Sequence, residues 1–435
     1  MRTSPATSRF GSRRTAAAFI AVAAMAVAAD GAVAAAAPPA GVQSSAAVTA
    51  TQLARGAGLA PQRPIMGYDT WYQYSRGATE ANVLTQARAM KSRGLEAAGY
   101  NLISLDDGWQ GTTPAQRKAG VELTWNRAKF PHGIPWLAQQ VHALGFKLGI
   151  YTAIGANTCF IRGYGAAGSL GYYQQDARLF ASWGVSFVKI DDCGGLPPGT
   201  TDAQLIADYA QFDGYITADG MEASQEAPVF VAPADFTAAV AAASDSADQW
   251  RVTADEHTFQ TAAQIILGHL DTDLPLARFA GPGHWNDLDM LVPGPVRAHR
   301  FGWTVLQEQS QLAVWSMEAS PLILSTNVPT LNPAELAPLK NPDMIAVDQS
   351  GAQASRGGLT GYVRYLFKPA DGGVAVLLAN TGTSAAEVAL PLDQVGLQSA
   401  TAPVHDVFGG SWTAGSLQAV LAPGQARLFV LKPVG

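Results

Sequence analysis

The chain has 435 residues, 48% of them hydrophobic and 14% charged, which is too apolar for a disordered polypeptide and too long for one ordinary domain. Removing the first 37 residues takes four Arg and one Asp from a formal charge of −6, leaving 24 basic against 33 acidic side chains. The basic stripe that a phosphate backbone requires is therefore absent, which excludes an ordinary nucleic-acid binder and favours a neutral or cationic ligand. In chain order, Arg2, Arg9, Arg13 and Arg14 precede an apolar stretch from Ala16 to Ala29 and small residues through Ala37. This is the layout of a secretory signal peptide over 1–37. A membrane anchor is the weaker reading, because the apolar run is short and Ala-rich where about 20 residues are needed to span a bilayer. Residues 38–60 lack a periodic apolar pattern and read as a flexible lead-in.

From Pro61 onward, apolar strand candidates alternate with helical stretches. The strands are expected at 65–71, 102–109, 146–153, 185–193, 229–235, 249–255, 285–291 and 322–327. Segments such as 80–98, 134–144, 174–183, 201–217, 258–270 and 301–319 repeat apolar residues at intervals of three and four, as amphipathic helices do. Eight such alternations predict an α/β fold, a closed (β/α)₈ TIM barrel over 61–353. From 354 to 435 the texture changes to short alternating runs separated by Gly, Pro, Asp and Asn, which predicts a C-terminal antiparallel β-sandwich domain. His405-Asp406 reads there as a surface loop pair of structural role.

The candidate chemistry stands at strand ends, where barrels carry their catalytic groups. The second strand ends Leu105-Asp106-Asp107-Gly108-Trp109, the fourth Lys189-Ile190-Asp191-Asp192-Cys193, the sixth Trp250-Arg251-Val252-Thr253-Ala254-Asp255, and the seventh holds Asp287 and Asp289. Carboxylates and Trp together suit a sugar, since hydroxyls take charge-assisted hydrogen bonds and apolar ring faces stack. Strand alternation sends Lys189 and Asp191 to one side, so Asp191 is expected in the pocket, kept ionised by Lys189 as a nucleophile. Asp255 is then the expected proton donor, its affinity raised by a neighbouring carboxylate. A metal centre built on His284, Asp287 and Asp289 is the rival chemistry, but no His pair has helical zinc spacing and no acidic loop has calcium-binding spacing. A serine hydrolase lacks its Gly-x-Ser-x-Gly elbow. The two cysteines, Cys159 and Cys193, follow neighbouring strand candidates, so either a disulfide or two separate buried thiols fits.

These residues resemble glycoside hydrolase family 27, the retaining α-galactosidases and α-N-acetylgalactosaminidases. The resemblance runs from about Pro64 to Gln349 and rests on ordered motifs: Met66-Gly67-Tyr68, Asp106-Asp107-Gly108-Trp109, Gly149-Ile150-Tyr151 with Thr158-Cys159, the run Phe180 to Asp191, and Gly281-Pro282-Gly283-His284-Trp285-Asn286-Asp287 with Asp289-Met290-Leu291. It implies Asp191 as nucleophile, Asp255 as acid/base, and Asp106 and Asp107 as readers of the 4- and 6-hydroxyls. Lys189, Tyr151, Arg251 and Tyr68 become substrate-pocket residues, and Cys159 pairs with Cys193. Departures are Tyr68 for Trp, and Gly108 for a Cys whose disulfide partner is also missing, which predicts looser first loops. On the expected fifth strand the family's reader of the group on carbon 2 is missing or replaced by Asp235. The expectation is thus a secreted retaining α-galactosidase that needs no cofactor and no metal and acts on galactose-containing oligosaccharides or polysaccharides. The alternatives are a relative acting on a β-L-arabinopyranoside, an α-N-acetylgalactosaminide or an α-glucoside, or a sugar-binding protein without turnover.

Overall fold

The computed structural model describes residues 62–158, 165–192, 195–256, 260–296, 302–370 and 372–433. The expected signal segment, the lead-in and both cysteines, with their expected pairing, lie outside these residues. Eight short strands form the first sheet: β1 Met66–Asp69, β2 Leu102–Leu105, β3 Lys147–Ala153, β4 Val185–Asp191, β5 Glu222–Gln225, β6 Gln249–Arg251, β7 Trp285–Asp287 and β8 Leu322–Leu324. Every pairing is parallel, in the order β7-β6-β5-β4-β3-β2-β1-β8. The ring closes through Leu291, just past β7, which donates to Ile323 O (2.7 Å) and accepts from Ser325 N (2.8 Å). This is the (β/α)₈ architecture, with one seam reduced to a single bridge.

Period-two alternation explains the layering. Ile103, Leu105, Leu148, Ile150, Val188 and Ile190 point outward into the helices, while Leu102, Phe187 and Ile323 plug the lumen from below. The lumen is narrow enough that a Cβ at Gly67 would lie 2.7 Å from Leu102 Cβ, so only glycine fits between Met66 and Tyr68. The helix expected over 301–319 runs Val305–Met317, because Thr304 caps it and Gln307 closes the box.

One strand differs from expectation. The apolar run 229–235 is the end of a short helix, Ala227–Phe230, and a loop; the fifth strand lies upstream at Glu222–Gln225. Pro228 precedes that run and Pro233 lies within it, and neither can donate to a central ladder, whereas the more polar Glu222–Gln225 pairs with both neighbours.

Antiparallel strands begin at Ser355: β9 Ser355–Thr360, β10 Val363–Ala370, β11 Gly373–Asn380, β12 Ala386–Leu390, β13 Ala402–Asp406, β14 Ser411–Gly415, β15 Leu417–Leu421 and β16 Ala426–Leu431. Six form one sheet, β14-β13-β16-β11-β10-β9, and β12 pairs with β15. On the large sheet Leu366, Leu377 and Leu428 join the core shared with the barrel helices. Its other face, with Val376, Leu378 and Phe429, packs on Leu390 and Leu417 of the two-stranded layer. His405 and Asp406 are not in a surface loop. Both lie on β13, where His405 is buried with Nε2 3.0 Å from Asp343 Oδ2 and its ring stacked on Trp412.

Candidate active site

The mouth of the barrel is built from residues just past the strand ends. Asp106, after β2, donates its N–H to Thr70 Oγ1 (2.9 Å) and receives Lys189 Nζ on Oδ2 (2.9 Å). Asp107 beside it accepts from Gly108 N (2.8 Å) and from Arg76 Nε (3.1 Å). Burial, then the charge of Asp106, pushes the Asp107 carboxyl up to about 6 against the pull of Arg76.

Asp191 ends β4 and is buried; Tyr151 OH reaches its Oδ2 (2.8 Å) and Asp192 N its Oδ1 (2.7 Å). Burial raises its proton affinity well above the ordinary carboxylate range, and the charge of Glu226 adds to this, while Lys189 and the Tyr151 hydroxyl oppose it. Lys189, expected to keep Asp191 ionised, favours that form from a distance. Its ammonium binds Asp106 and, at 3.3 Å, Glu226, because their carboxylates flank the Nζ on the lumen side.

Glu226 is the residue that reading the sequence missed. It follows β5, is almost fully buried, and meets Arg251 Nη1 at 3.4 Å as well as Lys189. Asp235, the residue expected to replace the carbon-2 reader, is exposed and stands at the start of the helix Phe236–Ser246, beyond the end of β5 in the chain. The usable signal was Ser224-Gln225-Glu226 between Gly220 and Pro228, a polar strand end at the right interval from its neighbours.

Arg251, on β6, gathers three carboxylates: Glu226, Asp255 and Asp289, the last two at 3.3 Å from Nη1. Asp255 is the most open acid of the group, its side chain 52% exposed, and its charge acts on both Asp191 and Glu226. Residues 191 and 255, far apart in the chain, thus share one electrostatic environment at one mouth. Beneath them Asp289 holds a left-handed backbone (φ 86°), rare for a residue with a side chain. It is held by Tyr72 OH (2.6 Å) and Glu256 N (2.9 Å) on Oδ2 and by its own N–H on Asp287 Oδ1 (2.9 Å).

Two expectations fail here. Tyr68 does not face the pocket: on β1 it points outward with its neighbour in register, Ile103, whereas Asp69, next in the chain, faces the lumen. The tryptophans of the motifs are not sugar platforms either. Trp109, Trp250 and Trp285 are fully buried; Trp109 donates to Tyr151 O (2.8 Å) and packs edge-on to Trp183, fixing β2 against β3. Trp71, just past β1, is half-buried. His284 stacks on Trp250, and among the described residues no group of three or more His, Cys, Asp or Glu could hold a metal ion. Polar contacts tie the first loops to each other. Lys129 Nζ donates to the carbonyls of both Arg76 and Gly108, joining the β1 loop to the β2 loop.

Sequence comparison matches residues 68–350 to the family Melibiase_2, described as alpha galactosidase A. An Aspergillus clavatus protein named "Probable alpha-galactosidase A" is 33% identical over 364 residues, 80% of this chain and 66% of that protein. The alpha-galactosidase of Cyamopsis tetragonoloba is 31% identical over 86% of this chain and 87% of its own length. Among solved structures, alpha-galactosidase I from Mortierella vinacea superposes with a TM-score of 0.74 at 26% identity, covering 86% of this chain and 98% of that one. The chain spans just under two thirds of the length of the Aspergillus relatives, 66% and 63% for two of them.

Proposed function

The chain belongs to the Melibiase_2 family, and we propose that it is a secreted retaining exo-glycosidase that removes terminal α-D-galactosyl residues from oligosaccharides or polysaccharides. The observation that carries this reading is the convergence of Asp191, Glu226, Arg251 and Asp255, from three consecutive strands, on one mouth.

Asp191 is the nucleophile. Its carboxylate attacks carbon 1 as the bond to the aglycone oxygen breaks, and Asp255 delivers a proton to that oxygen. Asp255 then takes a proton from water, whose oxygen attacks carbon 1 and releases Asp191 and an α-configured sugar. Exposure of Asp255 suits a group that meets first the aglycone and then water. Arg251 stabilises its ionised form between the two steps. Asp106, oriented by Lys189, reads the axial 4-hydroxyl; Asp107 reads the 6-hydroxyl; and Glu226, not Asp235, reads the group on carbon 2. The leader-like segment 1–37 supports export, and no helix among the described residues is long and apolar enough to cross a membrane.

The native chain is expected to hydrolyse p-nitrophenyl α-D-galactopyranoside faster than the other glycosides of an aryl panel, with the α-anomer appearing first by NMR. Asp191→Asn is expected to abolish turnover with an unchanged melting temperature, because the neutral isostere cannot form the ester. An inactive native chain, a faster non-galactoside or an active Asp191→Asn enzyme overturns the reading.

A further inference from the structure

The contact between the first two loops has an unusual construction. Gly108 adopts φ +100°, and a Cβ there would lie 2.8 Å from both Cα and Cβ of Arg76. In disulfides the two Cβ atoms sit about 3.8 Å apart, so the two loops approach here more closely than an ordinary covalent cross-link would hold them. No cysteine stands at position 76 or 108. The Arg76 side chain runs past the bare glycine backbone to place Nε 3.1 Å from Asp107 Oδ2. Lys129, arriving from the segment before the helix Ile134–Ala143, closes the arrangement by donating to Arg76 O and, at 2.8 Å, to Gly108 O. Burial opposes the Lys129 charge, while the nearby Asp107 carboxylate supports it. One ammonium thus holds two carbonyls, one on each side of the acid that Arg76 grips.

We propose that Arg76 and Lys129 form a polar staple that does the work of an interloop disulfide and fixes Asp107, making Arg76 a specificity-determining residue and Lys129 a positioning residue for the substituent on carbon 6 of the sugar. The inference rests on the reading that Asp107 faces that substituent. Asp106 is anchored separately, through Thr70 and Lys189, so loosening the staple moves one acid of the pair and not the other. Arg76 keeps its side chain 27% exposed at the rim, within reach of a ligand that Asp107 binds from below.

The test compares p-nitrophenyl α-D-galactopyranoside with p-nitrophenyl α-D-fucopyranoside, which differs only in lacking the 6-hydroxyl. Native enzyme prefers the galactoside, and Lys129→Met and Arg76→Met are expected to reduce the ratio of the two kcat/KM values about tenfold or more, the scale of one hydrogen bond to a charged group. Lys129→Arg should restore most of the ratio, since a guanidinium can also reach two carbonyls. Amide exchange at residues 107–111 should accelerate in Lys129→Met. A native ratio near one, an equal loss on both substrates, or unchanged exchange overturns the staple. A native chain active on neither sugar refutes the galactosidase reading instead, and the exchange measurement still decides whether Lys129 ties the loops.

Discussion

Lys189 through space, and Tyr151 by a direct hydrogen bond, both favour the ionised form of Asp191 against its burial. The Tyr151 hydroxyl donates directly to that carboxylate, and Lys189 acts from a distance because its own contacts are Asp106 and Glu226. Burial and Glu226 raise the proton affinity of Asp191, and a hydrogen bond to the ionised form lowers it. Tyr151→Phe removes that bond while keeping the ring against β4. The acid limb of kcat/KM is therefore expected to move to higher pH, with about a tenfold loss near pH 5 and a smaller loss near neutrality, read from the pH–rate profile of the free enzyme. An unmoved acid limb would mean that the bond does not stabilise the ionised nucleophile. At this scale the sequence was legible where alternation could be applied, since Lys189 and Asp191 do share the lumen side. It was illegible for the partners, because which acid claims an ammonium depends on strands 80 or so residues away meeting across the lumen.

Lys368 links the antiparallel sheet to the barrel at the scale of elements. It sits on β10 with no exposed surface and donates to Ser316 O (2.8 Å) near the end of the helix Val305–Met317. Burial lowers its ammonium to about 8, while Asp348, at the end of the helix Pro342–Asp348, and Glu318 pull the other way. Lys368→Met leaves those two buried acids without their cation. A destabilisation of about 3 kcal/mol at pH 8 is expected in the urea unfolding midpoint, at the low end for a broken buried pair because both acids can take up protons. The cost should shrink at pH 5, where they are neutral; an equal cost at both values would assign the effect to packing. The same alternation that buries both faces of this sheet made the antiparallel texture of 354–435 readable in the sequence. β5 was not readable, because Glu222–Gln225 is short and polar and the strand signal was stronger in the apolar run downstream, where one proline before it and one within it forbid a ladder. Length misled as well: six to nine residues were expected per barrel strand, and three to seven are present, since strand ends give way early to the loops that carry the carboxylates.

At the scale of the whole molecule, buried acids among the described residues outnumber the buried cations. Burial pushes Asp107, Asp273 and Asp287 up to about 6, Glu308 to about 7 and Asp348 to about 8. In the unfolded chain these groups titrate near pH 4. Between about pH 4 and these raised values the folded protein binds more protons than the unfolded one, so stability falls as pH rises through that window. His269 works the other way below its ordinary range, since burial lowers it to about 3 and the unfolded chain takes up its proton first. One imidazole does not offset five carboxyls above pH 4. The melting temperature is therefore expected to be higher at pH 5 than at pH 8 by about 5 °C or more, measured by scanning calorimetry in matched ionic strength. Glu308→Gln, which replaces one of these acids by a neutral isostere on the helix Val305–Met317, should flatten part of the slope between pH 5 and 7 without touching the mouth of the barrel. A melting temperature that rises steadily from pH 5 to pH 8 would show that the acids are ionised in the folded protein, and that Lys189 and Arg251 reach further through the lumen than their direct contacts with Asp106, Glu226, Asp255 and Asp289 indicate.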